Sequence, residues 1–120
     1  ALSLGGGGAP EVIYNDTDTT INLTEEDLNK VLLVDNANPV AVNLPSVGED
    51  QVGAWLEVYR LGAGSVTIHA ADSDVINDSS AGGAIACSAA GQTYAMIRLR
   101  LLLAARWAMA GMPLGSWTTS

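Results

Sequence analysis

Residues 54–69, which read AWLEVYRLGAGSVTIH, decide the fold class of this chain. Across 54–61 the residues alternate between two faces, as expected for a half-buried β-strand. One face carries Trp55, Glu57 and Tyr59, and the other carries Ala54, Leu56, Val58 and Arg60. Gly62 to Gly64 predicts a tight hairpin connection, with a return strand at 65–69. This stretch therefore predicts β structure in which each strand has one buried face.

The same pattern recurs on both sides of this stretch. Short alternating or apolar segments, separated by turns rich in Asn, Asp, Gly and Pro, predict further strands near 11–14, 19–23, 30–35, 40–44, 75–76, 84–88 and 116–118. Strands that recur about every ten residues are typical of a sandwich or a barrel. We therefore expect an all-β fold, a single-domain antiparallel β-sandwich or barrel of the jelly-roll kind, over residues 11–120. The segments are unlike one another, so no short-period repeat is expected.

Residues 92–110 have two interpretations. As a helix, they place Met96, Leu99, Leu103 and Trp107 on one stripe. As strand–turn–strand, they turn Ala95, Ile97, Leu99 and Leu101 inward and Met96, Arg98 and Arg100 outward. The neighbouring segments favour the second interpretation, with a bend near 102–105 and a return strand at 106–110. Residues 101–105 contain no typical turn residue, so the composition leaves the choice between turn, strand and helix open.

Composition limits the classes of partner. The 120 residues carry a formal charge of −8 and contain no Phe. Ten of the 13 acidic residues lie in the first half of the chain. An acidic surface repels phosphate groups, so we expect neither nucleic acid nor an anionic membrane as partner. No signal peptide is recognisable at the start of the sequence, which predicts synthesis in the cytoplasm.

The sequence offers little for catalysis, metal binding or cofactor binding. His69 is the single His, and Cys87 is the single Cys, in an apolar context that predicts a buried small residue. Asp16 with Asp18, and Asp72 with Asp74, have the spacing of calcium ligands, but neither stretch has both the glycine and the distal Glu of such loops. We therefore expect no enzyme activity, no catalytic or metal site and no cofactor; an enzyme is the least favoured class.

Residues 1–10 are expected to form a flexible N-terminal arm, because glycine loses the most backbone freedom on ordering. The candidate partner-binding residues of this arm are Leu2, Leu4, Gly5, Gly6, Gly7 and Gly8. The alternatives are a disordered tail and an arm that orders on a neighbouring subunit. Exposed leucines are unusual in a purely solvated tail, which keeps the second alternative open.

A set of turn and core positions resembles a known class. They run from INLTEEDLNK at 21–30 through VNLPSVG at 42–48, GAGSVTI at 62–68 and IN at 76–77 to RW at 106–107 and GSW at 115–117. Their order is similar to that of small β-rich structural modules of tailed bacteriophages, found as capsid decoration (cement) proteins, head fibres and tail-fibre domains. Two departures are Asn77-Asp78, where the class usually has Asn-Gly or Asp-Gly, and the Leu-, Ala- and Arg-rich segment before Trp107.

This resemblance implies a non-catalytic virion protein, commonly a homotrimer. We expect a capsid decoration protein that binds the outside of a phage head, with the major capsid protein as partner, and stabilises it. The alternative is a tail-fibre or tail-tip module whose loops at 46–53 and 77–83 recognise a host surface glycan. Candidate subunit-interface residues are Arg98, Arg100 and Trp107, with the arginines expected to meet acidic residues of a neighbouring chain.

Overall fold

The computed structural model describes residues 9–120, which fold into two β-sheets. Eleven strands are present: β1 (Val12–Asn15), β2 (Thr20–Asn22), β3 (Lys30–Val34), β4 (Val40–Asn43), β5 (Trp55–Arg60), β6 (Val66–His69), β7 (Val75–Ile76), β8 (Ala84–Cys87), β9 (Ala95–Leu103), β10 (Arg106–Met109) and β11 (Thr118–Thr119). Two 3-10 turns, Glu25–Asp27 and Glu49–Gln51, are the helical elements of this region. The expectation of an all-β sandwich is confirmed, and the predicted arm at 1–10 lies largely outside the described residues.

The two sheets are mixed, which corrects the expectation of an antiparallel, jelly-roll-like fold. One sheet has six strands in the order β1-β3-β5-β9-β10-β7, and the other has five in the order β11-β8-β6-β4-β2. The ladders β1–β3, β3–β5, β2–β4, β4–β6 and β7–β10 are parallel. The ladders β5–β9, β9–β10, β6–β8 and β8–β11 are antiparallel. The sheets remain separate, and a closed barrel is not formed by the ladders of residues 9–120.

The first six strands wind around the core in three coils. Among these six, β1, β3 and β5 lie in the six-stranded sheet and β2, β4 and β6 in the five-stranded sheet, so the chain crosses between sheets after each of them. Successive coils stack in parallel, with Val12 beside Val31 and Val31 beside Glu57. This is a structural repeat that the dissimilar sequences of the coils conceal.

The winding corrects the predicted hairpin at Gly62 to Gly64. β5 and β6 belong to different sheets, so these glycines carry a crossover rather than a hairpin turn. A Cβ atom at Gly64 would lie 1.9 Å from the backbone oxygen of Asn38, and one at Gly62 would lie 2.3 Å from that of Asn36. The crossover stacks this closely on the preceding one, and the amide N–H of Gly64 donates to the Asn36 carbonyl at 2.8 Å. Only glycine fits such an approach.

The core lies between the sheets and is built from the inward positions of each strand. Leu32, Val42, Leu56, Ile68 and Leu99 are fully buried there. In β9 the strand interpretation is confirmed: Ala95, Ile97, Leu99 and Leu101 face inward, and Arg98 and Arg100 are exposed. The bend falls at Ala104 and Ala105, as expected. The sheets therefore present two outer faces, and the outer face of the six-stranded sheet carries the side chains of the candidate binding surface.

Candidate binding surface

The outer face of the six-stranded sheet carries three rows of side chains that run across the strands. Residues paired directly opposite one another in neighbouring strands share a face, so the strand register defines each row. The first row consists of Tyr14, Leu33, Tyr59, Met96 and Leu114. The second consists of Val12, Val31, Glu57 and Arg98, and the third of Trp55, Arg100 and Ala108. The face therefore divides into an apolar end and a charged, aromatic end.

The apolar row is defined as Tyr14, Leu33, Tyr59, Met96 and Leu114. Its two ends are open to solvent, since Tyr14 and Leu114 are each 54% exposed. The Tyr14 hydroxyl donates to the Asp35 carboxylate at 2.6 Å, and this hydrogen bond is the main reason that the pKa of Tyr14 is raised. Burial, followed by the charge of Glu57, raises the pKa of Tyr59. Both hydroxyls therefore remain neutral at physiological pH, and each lies near a carboxylate, Asp35 for Tyr14 and Glu57 for Tyr59.

A groove of about 350 Å³ lies at the end of this face opposite the apolar row. It is lined by Pro10, Val31, Trp55, Glu57, Arg98 and Arg100. Pro10 belongs to the segment that enters β1, and the other five side chains project from β3, β5 and β9. Neighbouring strands of one rigid sheet thus fix the spacing of the aromatic ring, the carboxylate and the two guanidinium groups.

Glu57 and Arg98 form an ion pair at the base of the groove. The Glu57 side chain is 10% exposed, and its Oε2 accepts hydrogen bonds from Nε of Arg98 at 2.9 Å and from Nη2 of the same residue. The Arg98 guanidinium also lies over the Trp55 ring, 5.9 Å from the ring centre. A charge-assisted fork and a cation–π contact together hold Arg98 in one position.

Arg100 lies beside this pair and is directly opposite Trp55 in the register. Its side chain is exposed, and its Nη1 donates to the backbone oxygen of Gly53 at 3.1 Å. Among the residues that the structure describes, Arg100 forms no ion pair. It therefore supplies a positive charge to the groove that no acidic group of these residues neutralises.

The three predicted interface residues have different positions. Arg98 and Arg100 lie together on the outer face, but Arg98 already has an acidic partner within the chain, so pairing with a neighbouring chain stays a prediction. Trp107 is 1% exposed and packs in the core, which corrects its assignment to a subunit interface. In a chain without Phe, Trp107 fills core volume that another aromatic residue would otherwise occupy. The predicted arm residues Leu2, Leu4, Gly5, Gly6, Gly7 and Gly8 lie outside the described residues.

Arg60 is a polar feature of the core whose role the sequence did not reveal. It is 1% exposed, and its guanidinium donates to the backbone oxygens of Ala89 at 2.7 Å, Ala63 at 2.8 Å and Cys87 at 3.3 Å. Cys87 is fully buried, as its apolar context predicted. Arg60 thus ties the crossover after β5 to the segment after β8, a structural role. In the sequence, this role is indicated by the position of Arg60 on the inward face of the alternating segment 54–61.

The other residues considered for chemistry lie apart from the groove. His69 is partly buried at the end of β6, and Asp74 is 7% exposed in the turn before β7. Within residues 9–120, no three His, Cys, Asp or Glu side chains are grouped closely enough to hold a metal ion. In the same region, no helix has the length and apolar character needed to cross a membrane.

The chain was compared with protein families, curated proteins and solved structures. No family model, curated protein or solved structure matched the chain.

Proposed function

We propose that this protein is a non-enzymatic structural module that associates with copies of itself and with a larger assembly. The observation that carries this proposal is the apolar row on the outer face of the six-stranded sheet. Five directly opposed side chains form a continuous band there, and both of its ends are 54% exposed. Contiguous apolar surface on a soluble domain is typical of an interaction site.

A second copy of the chain is the proposed occupant of the apolar row. Copies carrying −8 each repel one another over most of their surface, so contact is favoured where charge is lowest. The apolar row contains no charged residue and combines two tyrosines with aliphatic side chains, a composition common at interface centres. A homotrimer is the assembly implied by the phage resemblance, and three modules acting as one unit gain avidity for a repeating shell.

The proposed setting is the outside of a phage head, where the trimer acts as a decoration protein and stabilises the shell. The support is the likeness of the turn and core positions to phage structural modules, together with the apolar row on the outer face of the six-stranded sheet. The major capsid protein is the proposed partner, and the arm at 1–10 the proposed contact with it.

Co-sedimentation with empty phage capsids tests this setting. The full chain is expected to pellet with expanded capsids at one class of site and to raise their thermal stability. A variant that lacks residues 1–10 is the matched control for the arm, and we expect it to lose capsid binding while keeping its own oligomeric state. Equal binding by the truncated chain would contradict the arm assignment, and no binding by the full chain would contradict the capsid assignment.

A tail-fibre or tail-tip module that recognises a glycan is the second candidate function. The groove favours it, because an aromatic ring beside charged and hydrogen-bonding groups is a common arrangement for holding a sugar. The groove lies on the outer face of the six-stranded sheet, whereas the sequence placed the glycan contact in the loops at 46–53 and 77–83. Adsorption to host cells without any binding to capsids is the result expected for this alternative.

A further inference from the structure

We propose that the groove is a binding site for a carboxylated sugar, such as a uronic acid residue of an acidic polysaccharide. This inference gives a ligand class to the second candidate function and does not depend on self-association. It rests on the groove residues, none of which belongs to the apolar row. Loss of sugar binding and loss of oligomerisation are therefore separable observations.

The carboxylate is inferred from the charge of the groove. Four cationic side chains lie outside the core in a chain of 13 acidic residues, and two of them, Arg98 and Arg100, line this cleft. Glu57 neutralises Arg98, which leaves the charge of Arg100 to be matched from outside. A guanidinium recognises a carboxylate through paired hydrogen bonds. Local positive charge on a strongly acidic protein therefore selects an anionic group at this point.

The sugar ring is inferred from the apolar walls. The Trp55 indole is partly buried beside Arg100, and Pro10 and Val31 complete the apolar lining. Beside the part of the indole that the Arg98 guanidinium covers, the Trp55 ring packs against the C–H face of a pyranose ring. Oε1 of Glu57, which accepts no hydrogen bond from Arg98, is the acceptor for a sugar hydroxyl group. A volume of about 350 Å³ suits a small ring compound rather than a folded partner.

The same features disfavour an acidic peptide segment as the occupant. An Asp or Glu side chain supplies the carboxylate, but it has neither a ring face for Trp55 nor hydroxyl groups for Glu57. Arg98 contacts Glu57 and the Trp55 ring, and Arg100 donates to the backbone oxygen of Gly53, so both arginines have a protein contact before a ligand arrives. A preformed site loses little conformational freedom on binding, which favours small ligands that make few contacts.

Titration followed by ¹H–¹⁵N NMR tests the proposal, with the side-chain N–H signal of Trp55 as the readout. Methyl β-D-glucuronide is the probe, and methyl β-D-glucoside, which lacks the carboxylate, is its neutral control. We expect the glucuronide to shift the Trp55 signal and the glucoside to bind at least about tenfold more weakly, as the loss of one charge-assisted contact predicts. Equal binding of the two sugars, or no shift with the glucuronide, would overturn the proposal.

Matched arginine variants distinguish the effect of the groove on sugar binding from the effect of the protein's overall charge. Arg100→Gln is expected to weaken glucuronide binding about tenfold. Arg106→Gln removes the same charge from an exposed residue that does not line the groove, and is expected to bind as the native chain does. If Arg100→Gln does not give a folded spectrum, Arg100→Lys keeps the charge but loses the fork, and is expected to bind with intermediate affinity. Unchanged binding by both Arg100 variants would contradict the assignment.

An acidic peptide tests whether the groove binds a sugar or an acidic segment of a second copy of the chain. The peptide Thr-Glu-Glu-Asp, which matches residues 24–27, presents the carboxylates of this chain's own acidic turn. We expect it to leave the Trp55 signal unshifted at concentrations where the glucuronide saturates. Tighter binding of the peptide than of the glucuronide would reject the sugar and assign the groove to an acidic segment of a neighbouring molecule.

Discussion

Ala105 occupies the left-handed region of backbone conformation, with φ of 66°, at the turn between β9 and β10. This region costs an alanine about 1 kcal/mol because its Cβ approaches the backbone, whereas glycine adopts it freely. We expect Ala105→Gly to raise the free energy of unfolding by about 1 kcal/mol. Urea unfolding measures the change.

Ala104→Gly is the control for that prediction. Ala104 has no positive φ, so glycine there adds only backbone freedom to the unfolded chain and is expected to lower stability slightly. Equal effects of the two substitutions would show that the conformation at Ala105 stores no strain.

Asp74 gives the stability of the protein a dependence on pH. Burial, followed by the charge of Asp72, raises the pKa of Asp74 above its ordinary value of 3.8, and its Oδ2 has no hydrogen-bond partner. The folded state therefore holds the proton more tightly than the unfolded state does. Below pH 3.8 this destabilising effect is absent. It grows as the pH rises toward the folded-state pKa and is constant above it.

Asp74→Asn removes the charge and is expected to raise stability at neutral pH and to flatten its fall across this window. Urea unfolding between pH 3 and pH 8, a range chosen to span about four units above and one below the ordinary carboxyl value, measures both effects. Asp50→Asn, at an exposed position, corrects for the general benefit of reducing a net charge of −8. A steeper fall in Asp74→Asn than in the native chain would contradict the assignment.

The crossovers at one end of the coils are the elements that fix the winding. The crossover after β3 contains Asn36, which is 9% exposed. The side-chain amide of Asn36 donates to the backbone oxygen of Asp18 in the previous crossover. The backbone carbonyl of Asn36 accepts a hydrogen bond from the N–H of Gly64 in the next crossover. One asparagine thus links three successive connections, so each coil sets the position of the one stacked on it.

Gly64→Ala tests this stacking. The added methyl group meets the backbone of Asn38 at 1.9 Å, and backbone atoms relieve such a clash only by moving the whole crossover. We expect a loss of about 3 kcal/mol in the free energy of unfolding, the upper part of the range for overpacking. The control is Gly48→Ala, where the nearest atom is a flexible carboxylate oxygen of Asp50 at 3.3 Å. A near-neutral Gly64→Ala would contradict the close stacking.

Strand positions were predictable from the sequence, but strand partners were not. Alternation along 54–61 and 95–101 reports which side chains face the core, because successive residues of a strand point to opposite faces. It carries no information on the direction or order of neighbouring strands. Gly62 to Gly64 therefore suggested a hairpin, although the glycines are needed for close stacking of crossovers. The groove was unpredictable for the same reason, since β3, β5 and β9 meet only in the folded sheet.

For the whole molecule, charge and shape divide the surface into regions of different use. Acidic residues dominate the turns at both ends of the coils, among them Asp16, Asp18, Glu25, Glu26 and Glu49, all of which are exposed. The outer face of the six-stranded sheet carries instead the apolar row and the groove with its two arginines. The proposed function depends on this division, because the apolar row is the part of this face that contains no charged residue.

The mass of the full chain in solution tests most directly whether this protein functions by self-association. It is measured by light scattering coupled to size exclusion or by native mass spectrometry. We expect a trimer of three 12.3 kDa chains, and a monomer when Tyr14→Ser and Leu114→Ser together remove the two exposed ends of the apolar row. Val52→Ser, at an exposed apolar residue outside the row, is expected to remain a trimer. A dimer would contradict the assigned number of copies, and a native chain that is monomeric at every concentration would contradict the claim that this protein functions by self-association.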